Sequence, residues 1–371
     1  MKKRTLLGAA AALSLLMSGI SPTFAGPDEA LKMLATTVLS KGPNGEMPSS
    51  AADISLTSEE LAKIKAMKAT AALVFHYAGN DWSQAQLAAL KHQFSEMGIE
   101  VIAVTDAGFK PEKQVSDIET VLAQKPDIIV SIPTDAVATA AAYRAAFEQG
   151  VKLIFMDNVP AGFTAGKEYI SSVSADNYGN GVAAAHLAAK ALGSKGKVGL
   201  VFHAADFFVT RQRFDGFKDT IKSDYPNIEI IAEQGIGGPD FSGDAEKAAG
   251  AILVSNSDVD AIWAVWDVPA EGVLAAARAA DRKDLVIITM DLGENVAIEM
   301  ARGGMIKGLA SQRPYDQGIT EALLAGYALI GKKAPAYVAL PAAPVTKDNL
   351  LAAWKEIYHA EATAKIKKSM K

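Results

Sequence analysis

The chain has 371 residues, half of them hydrophobic, with no cysteine and with 42 acidic residues against 37 basic ones, a formal net charge of −5. Lack of cysteine excludes a disulfide scaffold, a thiol nucleophile and a lipid-modified N-terminal cysteine. The mildly acidic balance argues against nucleic-acid binding, which draws on clustered Lys and Arg, and the length makes two domains the prior.

Lys2, Lys3 and Arg4 precede an uncharged apolar run from Leu6 to Ile20, and Thr23-Phe24-Ala25 follows with small residues flanking Phe24. That order reads as a cleavable signal peptide over residues 1–25; the run falls short of the ~20 residues that span a bilayer. No later stretch is long and apolar enough to suggest a membrane span, so the remainder is expected to be soluble. Residues 26–68 read as an N-terminal extension. Its segment LSKGPNGEMPSSAAD is loop-like in composition, and Thr57 with Glu60 offers a capping box for the helix LAKIKAMK.

From residue 69 the pattern alternates. TAALVFHY, IEVIAVTD, PDIIVSIP, VKLIFMDN and YISSVSAD read as strands, and WSQAQLAALKHQFSEMG, KPEKQVSDIETVLAQ and AVATAAAYRAAFEQG as the helices among them. The strands are short, rich in β-branched residues and apolar on both faces, as in a buried parallel sheet covered by helices. The series then restarts. GKVGLVFH, IEIIAEQG, VDAIWAVW, LVIITMD and GLASQ read as strands, RQRFDGFKDTIKSDY, AEKAAGAILVSN and PAEGVLAAARAAD as helices, and YDQGITEALLAGYALIG as a last long helix. The tetrapeptide LVFH opens both series, at residues 73–76 and 200–203. His76 thus matches His203, and Asp157 at the end of one strand matches Asp291 at the end of another. In open parallel sheets the functional crevice lies beyond the carboxyl ends of the strands. Both sets of strand ends are therefore expected to line one cleft. The basic tail, residues 361–371, reads as a solvated, frayed end.

The landmarks Asn80-Asp81-Trp82, Pro133-Thr134-Asp135, Asp157, Ser174-Ala175-Asp176-Asn177, Arg211-Gln212-Arg213 with Gly216-Phe217, Asp267, Asp291 and Gln312 before Pro314 follow one another in a characteristic order. In that order the chain resembles the periplasmic sugar-binding proteins of ABC importers, the ribose-binding-protein-like, type I group. The resemblance implies an α/β fold of two Rossmann-like, doubly wound parallel-sheet lobes joined by a three-strand hinge. It sets the first lobe at residues 69–176 plus 313–338 and the second at 177–312 plus 339–360. It implies a periplasmic monomer that closes on a small monosaccharide or polyol and hands it to an inner-membrane ABC permease, with no cofactor, no metal and no nucleic acid. Carried over by position, Asn80 and Trp82 match the family's first-lobe asparagine and aromatic, Asp157 its carboxylate, Arg211 its second-lobe arginine, Asp291 its second carboxylate and Gln312 its hinge glutamine. His76, Ser83, Asn158 and Trp266 depart from the ribose-binding pattern, which counts against ribose itself and leaves a polyhydroxylated guest.

The residue types suit such a guest. A carboxylate accepts from adjacent hydroxyls and an arginine donates in a fixed fork. Flat rings cover the C–H faces and exclude water. The candidate ligand-binding set is His76, Asn80, Trp82, Asp157, Asn158, Phe207, Arg211, Trp266, Asp267, Asp291 and Gln312. Two other functions fit less well. A secreted carbohydrate-active enzyme could use the cleft carboxylates, but the chain carries no Gly-x-Ser-x-Gly elbow and no His-Glu-x-x-His. A regulator of the same fold would need a helix-turn-helix where the extension stands. A ligand-sensing protein for a chemoreceptor would differ from the transport reading only in its partner.

Overall fold

The computed structural model describes residues 26–370, so the expected signal peptide lies outside the described residues. The extension contains α1 (Pro27–Leu34), β1 (Ser49–Ser50) and α2 (Ser58–Met67). The first series runs β2 (Thr70–Phe75), α3 (Asp81–Glu96), β3 (Glu100–Asp106), α4 (Pro111–Leu122), β4 (Ile128–Ser131), α5 (Ala140–Glu148), β5 (Lys152–Met156) and β6 (Ser171–Ala175). The second runs α6 (Asn177–Leu192), β7 (Gly196–His203), α7 (Phe208–Asp224), β8 (Ile228–Ile236), α8 (Phe241–Ser255), β9 (Ala261–Ala264), α9 (Asp267–Ala279), β10 (Val286–Met290), α10 (Glu294–Ala301) and β11 (Ile306–Ser311). The chain closes with α11 (Pro314–Ile330), β12 (Tyr337–Leu340), β13 (Ala343–Val345), α12 (Leu350–Tyr358) and α13 (Ala364–Ser369).

These elements build two α/β lobes. One sheet has the order β1-β12-β6-β5-β4-β2-β3 and the other β13-β11-β10-β9-β7-β8. Every pairing is parallel except β13 against β11. The central strands are apolar on both faces because helices cover both. Leu73 and Phe75 belong to one core cluster with Leu90 of α3, whereas Ala72 and Val74 belong to another with Ile118 of α4. The second lobe repeats this: Leu200 packs with Phe217 of α7, and Val201 with Ala249 of α8. The chain passes between lobes three times, from β6 into α6, from β11 into α11 and from β12 into β13. The switch expected after residue 338 comes slightly later. Ala339 and Leu340 still pair with Ser174 and Ala175, so β12 leaves the first sheet level with β6.

Both ends of the chain are more ordered than their composition suggests. Thr57 and Glu60 form the expected capping box on α2. The loop-like stretch before it spans both lobes. Leu34 of α1 packs on Val182 and Ala183 of α6. The Leu39 N–H, the Ser40 N–H and the Ser40 hydroxyl all donate to the Asp176 carboxylate at 2.7–2.8 Å. Asp176 also caps α6, accepting from the Gly179 N–H at 2.9 Å. Farther on, Asn44 Nδ2 reaches the Phe163 carbonyl of the first lobe, and β1 extends the first sheet beside β12. The basic tail is not frayed. In α13, Ile366 is fully buried in the second-lobe core and Lys365 pairs with Glu294 at 2.9 Å. One apolar side chain per turn anchors the helix, while its lysines stay in water.

Candidate functional site

The strand ends of the two lobes meet around a partly open chamber of about 70 Å³. From the first lobe, His76 follows β2, Asn80 and Trp82 lie at the start of α3, Phe109 follows β3, Ile132 follows β4 and Asp157 follows β5. From the second, His203 ends β7, Phe207 and Arg213 lie at and near the start of α7, and Phe241 opens α8. Trp266, Asp291 and Gln312 follow β9, β10 and β11.

Asp157 and Asp291 are placed by matching backbone devices. Both have left-handed φ, 53° and 61°, a conformation that non-glycine residues adopt uncommonly and Asp or Asn most readily. Each keeps its N–H on the neighbouring strand, Asp157 on the Val173 carbonyl at 2.8 Å and Asp291 on the Ala310 carbonyl at 3.1 Å. The sharp turn at each strand end leaves the carboxylate lining the cleft. Asn80 caps α3 through Oδ1, which accepts from the Ser83 N–H at 2.9 Å.

A continuous hydrogen-bonded chain links the two acids through the hinge. The Ser174 hydroxyl donates to Asp157 Oδ1 at 2.5 Å, and Asn177 Nδ2 donates to that hydroxyl at 3.0 Å. Arg213 Nε donates to Asn177 Oδ1 at 2.9 Å, and its Nη1 donates to Asp291 Oδ2 at 2.9 Å and to the Val265 carbonyl at 3.2 Å. Gln312 Nε2 donates to Asp291 Oδ1 at 3.1 Å. A buried polar network of this kind fixes geometry because each lost partner leaves a costly unsatisfied group.

Arginine 211 is not the cleft arginine. Its side chain is 56 % exposed and pairs with Asp206 at the surface, whereas Arg213 is 3 % exposed and lines the chamber. Two residues along a helix turn the side chain by about 200°, to the opposite face. The inner face of α7 is Val209, Arg213, Phe217 and Ile221, all buried and four residues apart. That spacing was readable in the sequence and selects Arg213. Asn158 and Asp267 also lie off the chamber. Asn158 is buried beside it, with Nδ2 3.4 Å from the Pro133 carbonyl. Asp267 opens α9 and accepts from the Val268 N–H at 2.9 Å. His76, Asn80, Trp82, Asp157, Phe207, Trp266, Asp291 and Gln312 all line the chamber.

The rings form a layer that crosses the cleft. Phe109 of the first lobe lies 4.8 Å from His76 and 5.1 Å from Phe241 of the second. Phe241 lies 4.9 Å from Trp266, and His203 5.7 Å from Trp266. The Glu294 N–H donates to Asp81 Oδ2 across the same gap at 2.7 Å. Phe109 and Phe241 carried no sequence signal, because each enters from a loop or helix start where no periodicity marks an inward side chain.

Burial controls the ionisable groups. It pushes the His76 imidazole down to about 3 and that of His203 to about 4, so both rings are neutral at pH 7. Burial raises Asp157 to about 6, against the opposing Ser174 hydrogen bond and the Arg213 charge, with the Asp291 charge adding to the rise. Asp267 is raised well above the usual carboxylate range by burial and by the Asp291 and Asp81 charges. Among the described residues no cluster of three or more His, Asp or Glu is arranged to hold a metal.

The family model described as periplasmic binding protein domain matches residues 71–333. The ribose import binding protein of Haemophilus influenzae is 27 % identical over 248 residues, which cover 66 % of this chain and 80 % of that protein. An ABC sugar transporter subunit of Rhodobacter sphaeroides superposes with a TM-score of 0.66 at 27 % identity, covering 76 % of this chain and 99 % of its own. An ABC transporter solute-binding protein of Agrobacterium vitis, bound with α-D-tagatopyranose, superposes at 0.72 with 23 % identity, covering 79 % and 99 %. The extension before residue 71 lies outside the family match.

Proposed function

This chain belongs to the periplasmic binding protein family, of the sugar-binding type, and from that premise we propose that it captures a small sugar or polyol between its lobes and delivers it to an ABC permease from the periplasm. The observation that carries this reading is the convergence of Asp157 and Asp291, one from each lobe, on one ring-lined chamber. Hydroxyls of the guest donate to the carboxylates and accept from Arg213, Gln312 and the Asn80 amide. Trp82, Phe207 and Trp266 cover its C–H faces.

The chamber's 70 Å³ is small beside the roughly 300–1,000 Å³ usual for small-molecule sites. A sugar that binds both lobes at once favours the closed arrangement about the three crossings. The same geometry supports binding over catalysis. Asp291 is held by Arg213 and Gln312, and a carboxylate so engaged is a poor proton shuttle.

Intrinsic tryptophan fluorescence tests the reading, because Trp82 and Trp266 line the chamber. Titration with pentoses, hexoses and polyols is expected to give a saturable change for at least one of them, abolished in Asp291→Ala. A flat response to the whole panel, or an unchanged response in Asp291→Ala, overturns it.

A further inference from the structure

We propose that the guest of this chamber carries a protonated amine, as an amino sugar or an amino-substituted polyol does, and that Asp157 pairs with that amine. The inference rests on the sugar reading above and narrows it to a charged class.

The charge inventory points this way. Two carboxylates, Asp157 and Asp291, line the chamber, and Arg213 is the cationic side chain that lines it among the described residues. Arg213 directs Nη1 to Asp291 and Nε to Asn177, and neither bond reaches Asp157. The two histidines that line the chamber, His76 and His203, are neutral. Asn158, the next residue along the chain, is an amide, and Arg211 lies on the outer face of α7. The neighbouring groups add negative charge or none. Asp81 and Glu271 lie close enough to Asp267 to raise it, and Glu321 of α11, buried behind Asp157, is raised well above the usual range.

Closing the lobes over a neutral polyol would thus seal the Asp157 carboxylate with no cation bonded to it, the Arg213 charge acting only from a distance. An uncompensated buried charge costs several kcal/mol, whereas a guest ammonium removes that cost and adds a charge-assisted hydrogen bond.

Two further observations agree. Gln312 Oε1 and His76 Nδ1 are buried, belong to residues lining the chamber and have no hydrogen-bond partner. The Gln312 oxygen calls for a donor, and an ammonium offers three. Aromatic side chains from both lobes line the walls, Trp82, Phe109, Phe207, Phe241 and Trp266, and an aromatic face attracts a cation by roughly 0.5–2 kcal/mol.

The test is calorimetric titration of the mature protein at pH 7 with paired probes: D-glucose and D-glucosamine, D-galactose and D-galactosamine, D-mannose and D-mannosamine. Asp157→Asn is titrated in parallel; asparagine accepts the left-handed backbone there, and circular dichroism verifies its fold. At least one amine is expected to bind about tenfold or more tighter than its hydroxyl parent, and Asp157→Asn to erase that margin by weakening the amine far more than the parent. Hydroxyl parents binding as tightly as their amines in every pair would overturn the inference and leave the sugar reading standing. An amine preference that survives in Asp157→Asn would overturn the assignment to Asp157. Binding of no probe would count against the sugar reading and this inference together.

Discussion

Replacing Arg213 by methionine separates the two arginines of α7 and tests the polar chain between the lobes. The side chain keeps its apolar stem but loses three hydrogen bonds, among them the 2.9 Å bond to Asp291. Asp291 is 9 % exposed and retains only its bond from Gln312 among the side-chain partners described. Breaking a buried ion pair by removing one partner costs about 3–5 kcal/mol, and the surviving Gln312 bond places this case near the lower end. At about 2–4 °C per kcal/mol for domains of this size, the second lobe should unfold about 6–12 °C lower in differential scanning calorimetry. Sugar affinity should fall below detection in fluorescence titration, because Asp291 and Asn177 lose the group that orients them. Arg211→Ala is the control. Its pairing with Asp206 is exposed on both sides, and such pairs contribute at most about 1 kcal/mol, so unfolding temperature and affinity should stay near wild type. Weak binding in Arg211→Ala together with normal binding in Arg213→Met would refute the placement of α7.

Three other outcomes follow from the buried groups. In ligand-free protein Asp157 is raised from 3.8 to about 6, so its contribution to stability is present below about pH 3.8 and lost as pH rises through 6. Asp157→Asn should gain on wild type between pH 4 and pH 7, by up to about 3 kcal/mol at roughly 1.4 kcal/mol per pKa unit; a pH-independent difference in thermal unfolding would contradict it. Glu321 is fully buried, and burial, with the Asp157 charge adding to it, raises it well above 4.5 against a hydrogen bond with Gln86. The sign is the same, so the unfolding temperature of Glu321→Gln should climb relative to wild type above pH 4.5, and equal shifts from pH 4 to pH 8 would argue against a proton held there. Ser40→Ala removes one donor to Asp176 and the acceptor of the Tyr178 N–H; it should cost about 1–2 kcal/mol in chemical denaturation, and no change would mean that the extension is not held at the hinge.

Strand ends were the legible part of the site. Buried parallel strands are written as short apolar runs, so the duplicated series located the ends of β5 and β10 and with them Asp157 and Asp291. Helix phase was less legible. Arg211 and Arg213 are the same residue type, and only the four-residue spacing of Val209, Arg213, Phe217 and Ile221 tells them apart. Phe109 and Phe241 escaped because a ring entering from a loop has no period to betray it. The ends of the chain misled for a different reason. Composition marks Lys365, Lys367 and Lys368 as solvated, which they are, yet Ile366 between them is enough to dock α13. Likewise the Gly- and Pro-rich extension carries the Ser40 hydroxyl that meets Asp176, a contact between residues distant in sequence that local patterns do not encode.

A crystal structure of the protein grown with the tightest-binding sugar or amino sugar would probe the two-lobe capture most directly. The expected result is ligand density between the lobes, with one part on Asp157, another on Asp291 and Arg213, and Trp82 or Trp266 against a C–H face. Saturating ligand bound anywhere else, with Asp157 and Asp291 untouched, would contradict it.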